Sequence, residues 1–216
     1  MNFMGYVRPD GRVGSRNLVG ILPSVTCAND VAQAIVTEVQ GTVGFFHHQG
    51  CCQLPPDLDR VTETLTSLGC SPNLAAVLIV SLGCEGTDYE KMYSAIEATG
   101  KPVRIIGIQE LGGVSNAIQK GIDLARELVL QVSGHQREPV DISRAVMAIK
   151  CGASDTTSGM ASNCVIGYVA DKLVDLGATV VFGETTEFLG GEHLLARRAV
   201  NEQVAQKIYD IVNAME

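Results

Sequence analysis

Side chains that can hold a metal or move a proton recur along this sequence in short polar runs that interrupt apolar ones. The runs are Cys27, His47 to Cys52 (HHQGCC), Cys84-Glu85, Gln109-Glu110, Cys151 to Ser158 and Glu184 to Glu187. His47, Cys51, Cys84 and Cys151 are soft donors, suited to iron, zinc or another late metal. No CxxC or HxxxH pair is present, so spacing alone does not define a metal site. Glu184 and Glu187, with Glu192-His193 close by, are candidates for hard ligands or a general base. The plainer alternative for each residue singly is a packed thiol, a hydrogen-bonded imidazole or a solvated capping carboxylate. Cys70 and Cys164 fall within or beside helices and read as packed thiols.

A second kind of chemistry is written into Arg144 to Gly159, RAVMAIKCGASDTTSG. The apolar run Ala145 to Ile149 reads as a strand buried on both faces. Cys151 and Gly152 break it, and Ser154, Asp155, Thr156, Thr157 and Ser158 are residues that cap a helix start. A helix over Met160 to Leu176 would then present free backbone N–H groups to an anion such as a substrate carboxylate.

The elements that position these runs alternate regularly. Strands are expected at Leu18 to Pro23, Thr42 to Phe46, Ala75 to Leu82, Val103 to Ile108, Ala145 to Ile149 and Thr179 to Phe182. Helices are expected at Ala28 to Gln40, Asp57 to Leu68, Asp88 to Ala98, Val114 to Val132, roughly 191–198 and roughly 201–214. Gly5 to Arg12, with its Pro-Asp-Gly turn, reads as a hairpin or extended arm. This is an α/β chain with parallel-sheet, three-layer α/β units, Rossmann-like in topology. The polar stretch 133–140 reads as a linker between residues 1–134 and 135–216. Every polar run above falls at the carboxyl end of a strand, where parallel sheets bind ligands.

Composition removes several classes of function. A net charge of −8 argues against nucleic acid and anionic membrane as partners. No apolar run approaches the roughly 18–20 residues of a membrane span, and the N-terminus has no signal-peptide core. Seven cysteines, an odd count at irregular spacing, suit a reducing cytoplasm. The turn after the first strand, Pro23-Ser24-Val25-Thr26-Cys27, is not GxGxxG, and GxxxxGK[ST] occurs nowhere, so the dinucleotide and P-loop fingerprints are missing. A cysteine hydrolase using Cys51 or Cys84 with His47 or His193 would lack a nucleophile-elbow pattern.

The motifs in order resemble the altronate and galactarate dehydratase family, which includes sulfolactate sulfo-lyase large subunits. The resemblance rests on Gly5-Tyr6-Val7-Arg8-Pro9-Asp10-Gly11-Arg12-Val13-Gly14-Ser15-Arg16-Asn17, the His47 to Cys51 run, Leu82-Gly83-Cys84-Glu85 and Ile108 to Gly113. It continues through Cys151 to Asp155 with Ser158-Gly159, Glu184 to Glu187, Glu192-His193 and Arg197-Arg198. It implies a lyase using Fe2+ or another divalent metal on a small-molecule hydroxy acid, acting as a homo-oligomer in the cytoplasm. The favoured reaction splits (2R)-sulfolactate into pyruvate and sulfite; the alternatives are dehydration of altronate or galactarate, or a catalytically silent dimerisation or scaffold fragment. Under this reading Glu184, Glu187 and His47 are the candidate proton-transfer residues. Arg12, Arg16, Ser154, Asp155 and Ser158 would bind substrate, with Arg8 a further candidate for its carboxylate. His47, Cys51, Cys84 and Cys151 are the candidate metal ligands. The family also carries a small N-terminal domain before the Gly5 motif, expected here as a separately encoded small subunit. It continues beyond Arg197-Arg198, so this chain is expected to be inactive alone.

Overall fold

The computed structural model describes residues 1–215, the side chain of Thr186 excepted. The chain forms two compact units, Asn2–Val140 and the residues from Asp141 onward together with Met1.

In the first unit, strands β1 (Asn2–Val7) and β2 (Val13–Gly14) form the antiparallel hairpin that the Pro-Asp-Gly turn announces, with Val7 opposite Val13. Strand β3 (Leu18–Pro23), helix α1 (Asn29–Glu38), strand β4 (Thr42–Gly44), helix α2 (Pro55–Gly69) and strand β5 (Leu74–Ser81) follow. Helix α3 (Tyr89–Glu97), strand β6 (Val103–Gly107), helix α4 (Val114–Ser133) and strand β7 (Glu138–Asp141) complete it. Prolines 55 and 56 open α2, where a missing N–H costs nothing, and Asp88 caps α3 by accepting the Lys91 N–H at 2.8 Å.

Strands β4-β3-β5-β6 make one parallel sheet. Successive residues of β5 face opposite sides: Ala76, Leu78 and Val80 pack under α1 and α4, while Val77 and Ile79 pack under α2 and α3. That is the expected three-layer α/β unit. Ile21, Leu78 and Ile79 are wholly buried, and each such side chain contributes about 1.5–3 kcal/mol. From β3 the chain goes to β4 on one side and returns to β5 on the other. The topology therefore reverses between β3 and β5, and their carboxyl ends part to leave the crevice where ligands bind in such sheets.

The stretch expected as a linker contains β7, which pairs with β1 in a second sheet of order β2-β1-β7. Only Val140 of this strand is buried, so its sequence has a loop's polarity although its backbone is paired.

In the second unit, strand β8 (Val146–Ile149) leads through a π-helical turn (Ser158–Ser162) into helix α5 (Asn163–Asp175). Strand β9 (Thr179–Phe182) and helices α6 (Glu192–Ala196) and α7 (Glu202–Asn213) follow. β8 and β9 pair in parallel. The expectation that β8 is buried on both faces is not met: Val146 is 68% exposed. Among the described residues β9 is its one paired neighbour, and α5 packs on β9, so little covers β8.

Candidate active site

The crevice between β3 and β5 is built by three loops that hold one another. Ser24, at the end of β3, is fully buried, and its hydroxyl donates to Glu85 Oε1 at 2.5 Å. The Glu85 carboxylate also accepts the backbone N–H groups of Leu82 at 3.1 Å and Gly83 at 2.6 Å. Burial pushes this carboxyl upward, but the Ser24 hydroxyl and the surrounding N–H donors outweigh it and hold Glu85 below the usual range. Glu85 is thus a fixed negative charge at neutral pH.

The loop after β4 closes on both neighbours. Thr26 N–H donates to the Gln49 carbonyl at 2.9 Å, and Gly86 N–H to the Gly50 carbonyl at 3.0 Å. Gly50 has φ +98°, and a Cβ there would stand 2.8 Å from the Ser24 carbonyl oxygen, so a side chain is excluded twice over.

This interlocking fixes His47 through both ring nitrogens. Nε2 lies 2.9 Å from the Pro23 carbonyl, to which it donates, and Nδ1 accepts the Gln49 N–H at 3.2 Å. To ligate a metal or take a proton, His47 would have to release one of these partners. Asn29 donates to the His47 carbonyl at 2.7 Å, while its own Oδ1, shielded from solvent, has no partner among the described residues.

Four exposed thiols border the same loops: Cys27, Cys51, Cys52 and Cys84. Cys27 and Cys84 lie near enough for their charge to be felt at Cys51, and Cys51 and Cys52 Sγ are 3.5 Å apart. Cys27, Cys51, Cys52 and Cys84 thus all stand in the loops that follow β3, β4 and β5. Among the described residues, however, no three His, Cys, Asp or Glu side chains form a group that could hold a metal ion. As arranged, the donors do not fit one.

A groove of about 490 Å³ opens beside His47, walled by Phe45, Phe46 and α2. Asp57 and Arg60, one turn apart on α2, supply its charges. The Arg60 guanidinium has no hydrogen-bond or ion-pair partner among the described residues, which leaves it available to an anion.

The arginines of the arm are occupied to different degrees. Arg8 is 5% exposed and donates to the Pro72 carbonyl at 2.7 Å, Asn17 Oδ1 at 2.9 Å and the Arg16 carbonyl at 2.7 Å. It clamps the arm to the sheet and is not free for a substrate carboxylate. Arg12 is paired with Asp10 at 2.6 Å, within its own turn. Arg16 contributes its backbone carbonyl to Arg8.

The other expected residues belong to the second unit. Asp155 and Ser158 form a reciprocal cap: Asp155 Oδ1 accepts the Ser158 N–H at 2.9 Å, and Ser158 Oγ accepts the Asp155 N–H at 3.2 Å. Ser154 Oγ lies 3.7 Å from Cys151 Sγ. Glu184, at φ +62°, pairs with Lys150 at 2.8 Å and accepts the Cys151 N–H at 3.3 Å. Lys150 holds its carboxyl below the ordinary value, away from the neutral range a general base needs. Glu187 is exposed, and its carboxylate makes no hydrogen bond among the described residues.

Comparison with known proteins shows the family of the chain. The profile for the second domain of D-galactarate dehydratase/altronate hydrolase matches residues 5–133, and the profile for the D-galactarate/altronate dehydratase C-terminal domain matches residues 142–216. The chain belongs to this family. Among curated relatives it is 43% identical to the (2R)-sulfolactate sulfo-lyase subunit beta of Chromohalobacter salexigens, over 99% of this chain and 55% of that one. It is 31% identical to altronate dehydratase of Bacillus subtilis, over 98% of this chain and 44% of the relative. It is 32% identical to galactarate dehydratase (L-threo-forming) of Escherichia coli, over 96% and 44%. The chain thus spans about half the length of these dehydratase-family relatives.

Two members of the site escaped sequence reasoning as functional residues. Glu85 stood in a recognised run, but nothing in the run indicated that its carboxylate turns inward to Ser24. Arg60 had no signal at all, being one charge on the surface of an amphipathic helix.

Proposed function

We propose that this chain is the part of a lyase that binds (2R)-sulfolactate, from which the whole enzyme releases sulfite and leaves pyruvate. The observation that carries the reading is the 43% identity over the full chain to a sulfo-lyase beta subunit, against 31–32% for the dehydratases over nearly the same span. The reaction removes the proton from the hydroxyl-bearing carbon next to the carboxylate and expels sulfite from the neighbouring carbon. The enol that results becomes pyruvate. The substrate brings two anionic groups, and the chain offers Arg60 in the groove beside His47 as a partner for one of them. Of the two glutamates of the second unit, Glu187 has a carboxylate free of hydrogen bonds among the described residues, while Glu184 is engaged by Lys150 and the Cys151 N–H. His47, held at both nitrogens, positions its loop.

Ferrous iron belongs to this proposal as a property of the whole enzyme. The described residues do not gather its ligands, and no step above runs through it. A separate small subunit belongs to it as well, since the matched relative is itself a beta subunit.

The test combines the complete large subunit with its small partner under reducing conditions with ferrous iron. Sulfite and pyruvate from (2R)-sulfolactate are expected. Formation of a 2-keto-3-deoxy acid from altronate or galactarate, with no sulfite, would replace this reading by the dehydratase one. Discrimination should be sharp, because a site built to bond one group rejects analogues lacking it by up to about 10⁴–10⁵-fold.

A further inference from the structure

The loop between β4 and α2 contains two adjacent cysteines, and their arrangement has a chemistry of its own. Both side chains are exposed, and their sulfur atoms stand 3.5 Å apart, at van der Waals contact. The peptide is already bent toward this approach: Cys52 has φ +56°, a left-handed conformation that non-glycine residues rarely adopt. The conformation is imposed from both flanks. Gly50 is fixed by its N–H to Gln53 Oε1 at 2.8 Å and by its carbonyl to Gly86, and Pro55 starts α2 on the far side.

We propose that Cys51 and Cys52 are a modification site that forms a reversible vicinal disulfide on exposure to a hydroperoxide. One sulfur attacks the peroxide; its O–O bond breaks, giving a cysteine sulfenic acid and an alcohol, or water from hydrogen peroxide. The neighbouring thiol then attacks that sulfur, the S–S bond forms, and the sulfenic oxygen leaves as water. The two thiols are oxidised and the peroxide is reduced. Consecutive Cα atoms are about 3.8 Å apart, below the roughly 4.4–6.8 Å of ordinary bridges, so the ring is strained and easily reduced again. That lability makes it a reversible mark and not a structural staple. The inference rests on the loop geometry alone and is independent of which reaction the enzyme performs.

Cleavage after glutamate releases a peptide from Val39 to Glu63 that carries Cys51 and Cys52 and no other cysteine. The folded chain is treated with one equivalent of hydrogen peroxide, its remaining thiols are alkylated, and this peptide is weighed. The expected result is an unalkylated peptide lighter by two hydrogens, which dithiothreitol returns to the dithiol. The inference is overturned by a disulfide joining this peptide to Cys27 or Cys84, by added oxygen on either residue, or by full alkylation of both. In the Cys52→Ser variant, Cys51 is expected to persist as sulfenic acid and to be trapped by dimedone. Equal dimedone labelling of the wild type and this variant would also overturn it.

Discussion

The Ser24 hydroxyl donates to Glu85 Oε1 at 2.5 Å, joining the carboxyl ends of β3 and β5 across the point where the sheet topology reverses. A hydrogen bond to a charged partner of this kind is worth about 1.5–3 kcal/mol. Ser24→Ala should destabilise the first unit by roughly that amount, measured as a lowered urea midpoint at pH 7. An unchanged midpoint would mean the carboxylate finds another donor at once.

The same pair sets an acid limit. Glu85 titrates lower in the folded chain than its ordinary value of 4.5, so its stabilisation is present above that value and is lost as pH falls through the folded one. Urea midpoints from pH 7 down to pH 3 should fall more steeply for the wild type than for Glu85→Gln. Parallel curves would remove Glu85 from the acid response.

Lys101 sets a slope of the same sign on the alkaline side. It is 5% exposed and donates to the carbonyls of Gly69 at 3.0 Å and Ser71 at 2.7 Å, at the end of α2. Burial, reinforced by nearby Arg12 and Arg8, lowers it from 10.5 to about 8. Between those values the unfolded chain binds the proton that the folded one has released, so stability from this group rises with pH. Comparing wild type with Lys101→Met from pH 7 to pH 10.5 isolates it. The difference between the two should change in the direction of a more stable wild type as pH rises.

Arg60 separates binding from folding. In the complete enzyme, Arg60→Gln should raise KM for (2R)-sulfolactate about tenfold or more, the loss of one charge-assisted pair worth about 1.5–3 kcal/mol, with an unchanged melting temperature. A normal KM would place the substrate anion elsewhere.

Metal content tests the thiols directly. In anaerobically purified full-length protein, Cys51→Ala and Cys84→Ala should each leave bound iron unchanged by elemental analysis, because the donors as arranged do not gather into a metal site. A loss of iron in either variant would place that thiol among the ligands.

The sequence announced the architecture of the first unit almost throughout, because each element carried its own period. The continuous apolar run of β5 could only be a central strand, and Asp88 and Pro55-Pro56 marked their helix starts. Strand β7 was invisible since one buried valine in a polar stretch has no period. The carboxyl-end placement of the chemistry was legible for the same reason as the strands. What could not be seen was which groups were already spent: His47 on two backbone partners, Arg8 on three acceptors, Asp155 and Ser158 on each other. Those bonds are long-range or depend on loop conformation, and residue type does not encode them.

The pairing of β1 with β7 has a consequence for how the first unit is made. One edge of its opening strand pairs with β2 within the hairpin, but the other edge finds its neighbour only in a strand that the ribosome delivers more than a hundred residues later. The parallel sheet and its helices can assemble behind the growing chain, but the arm carrying Arg8 must wait with one edge bare. Its docking is a long-range closure, and the entropy of that closure falls on a hairpin that local contacts alone can form.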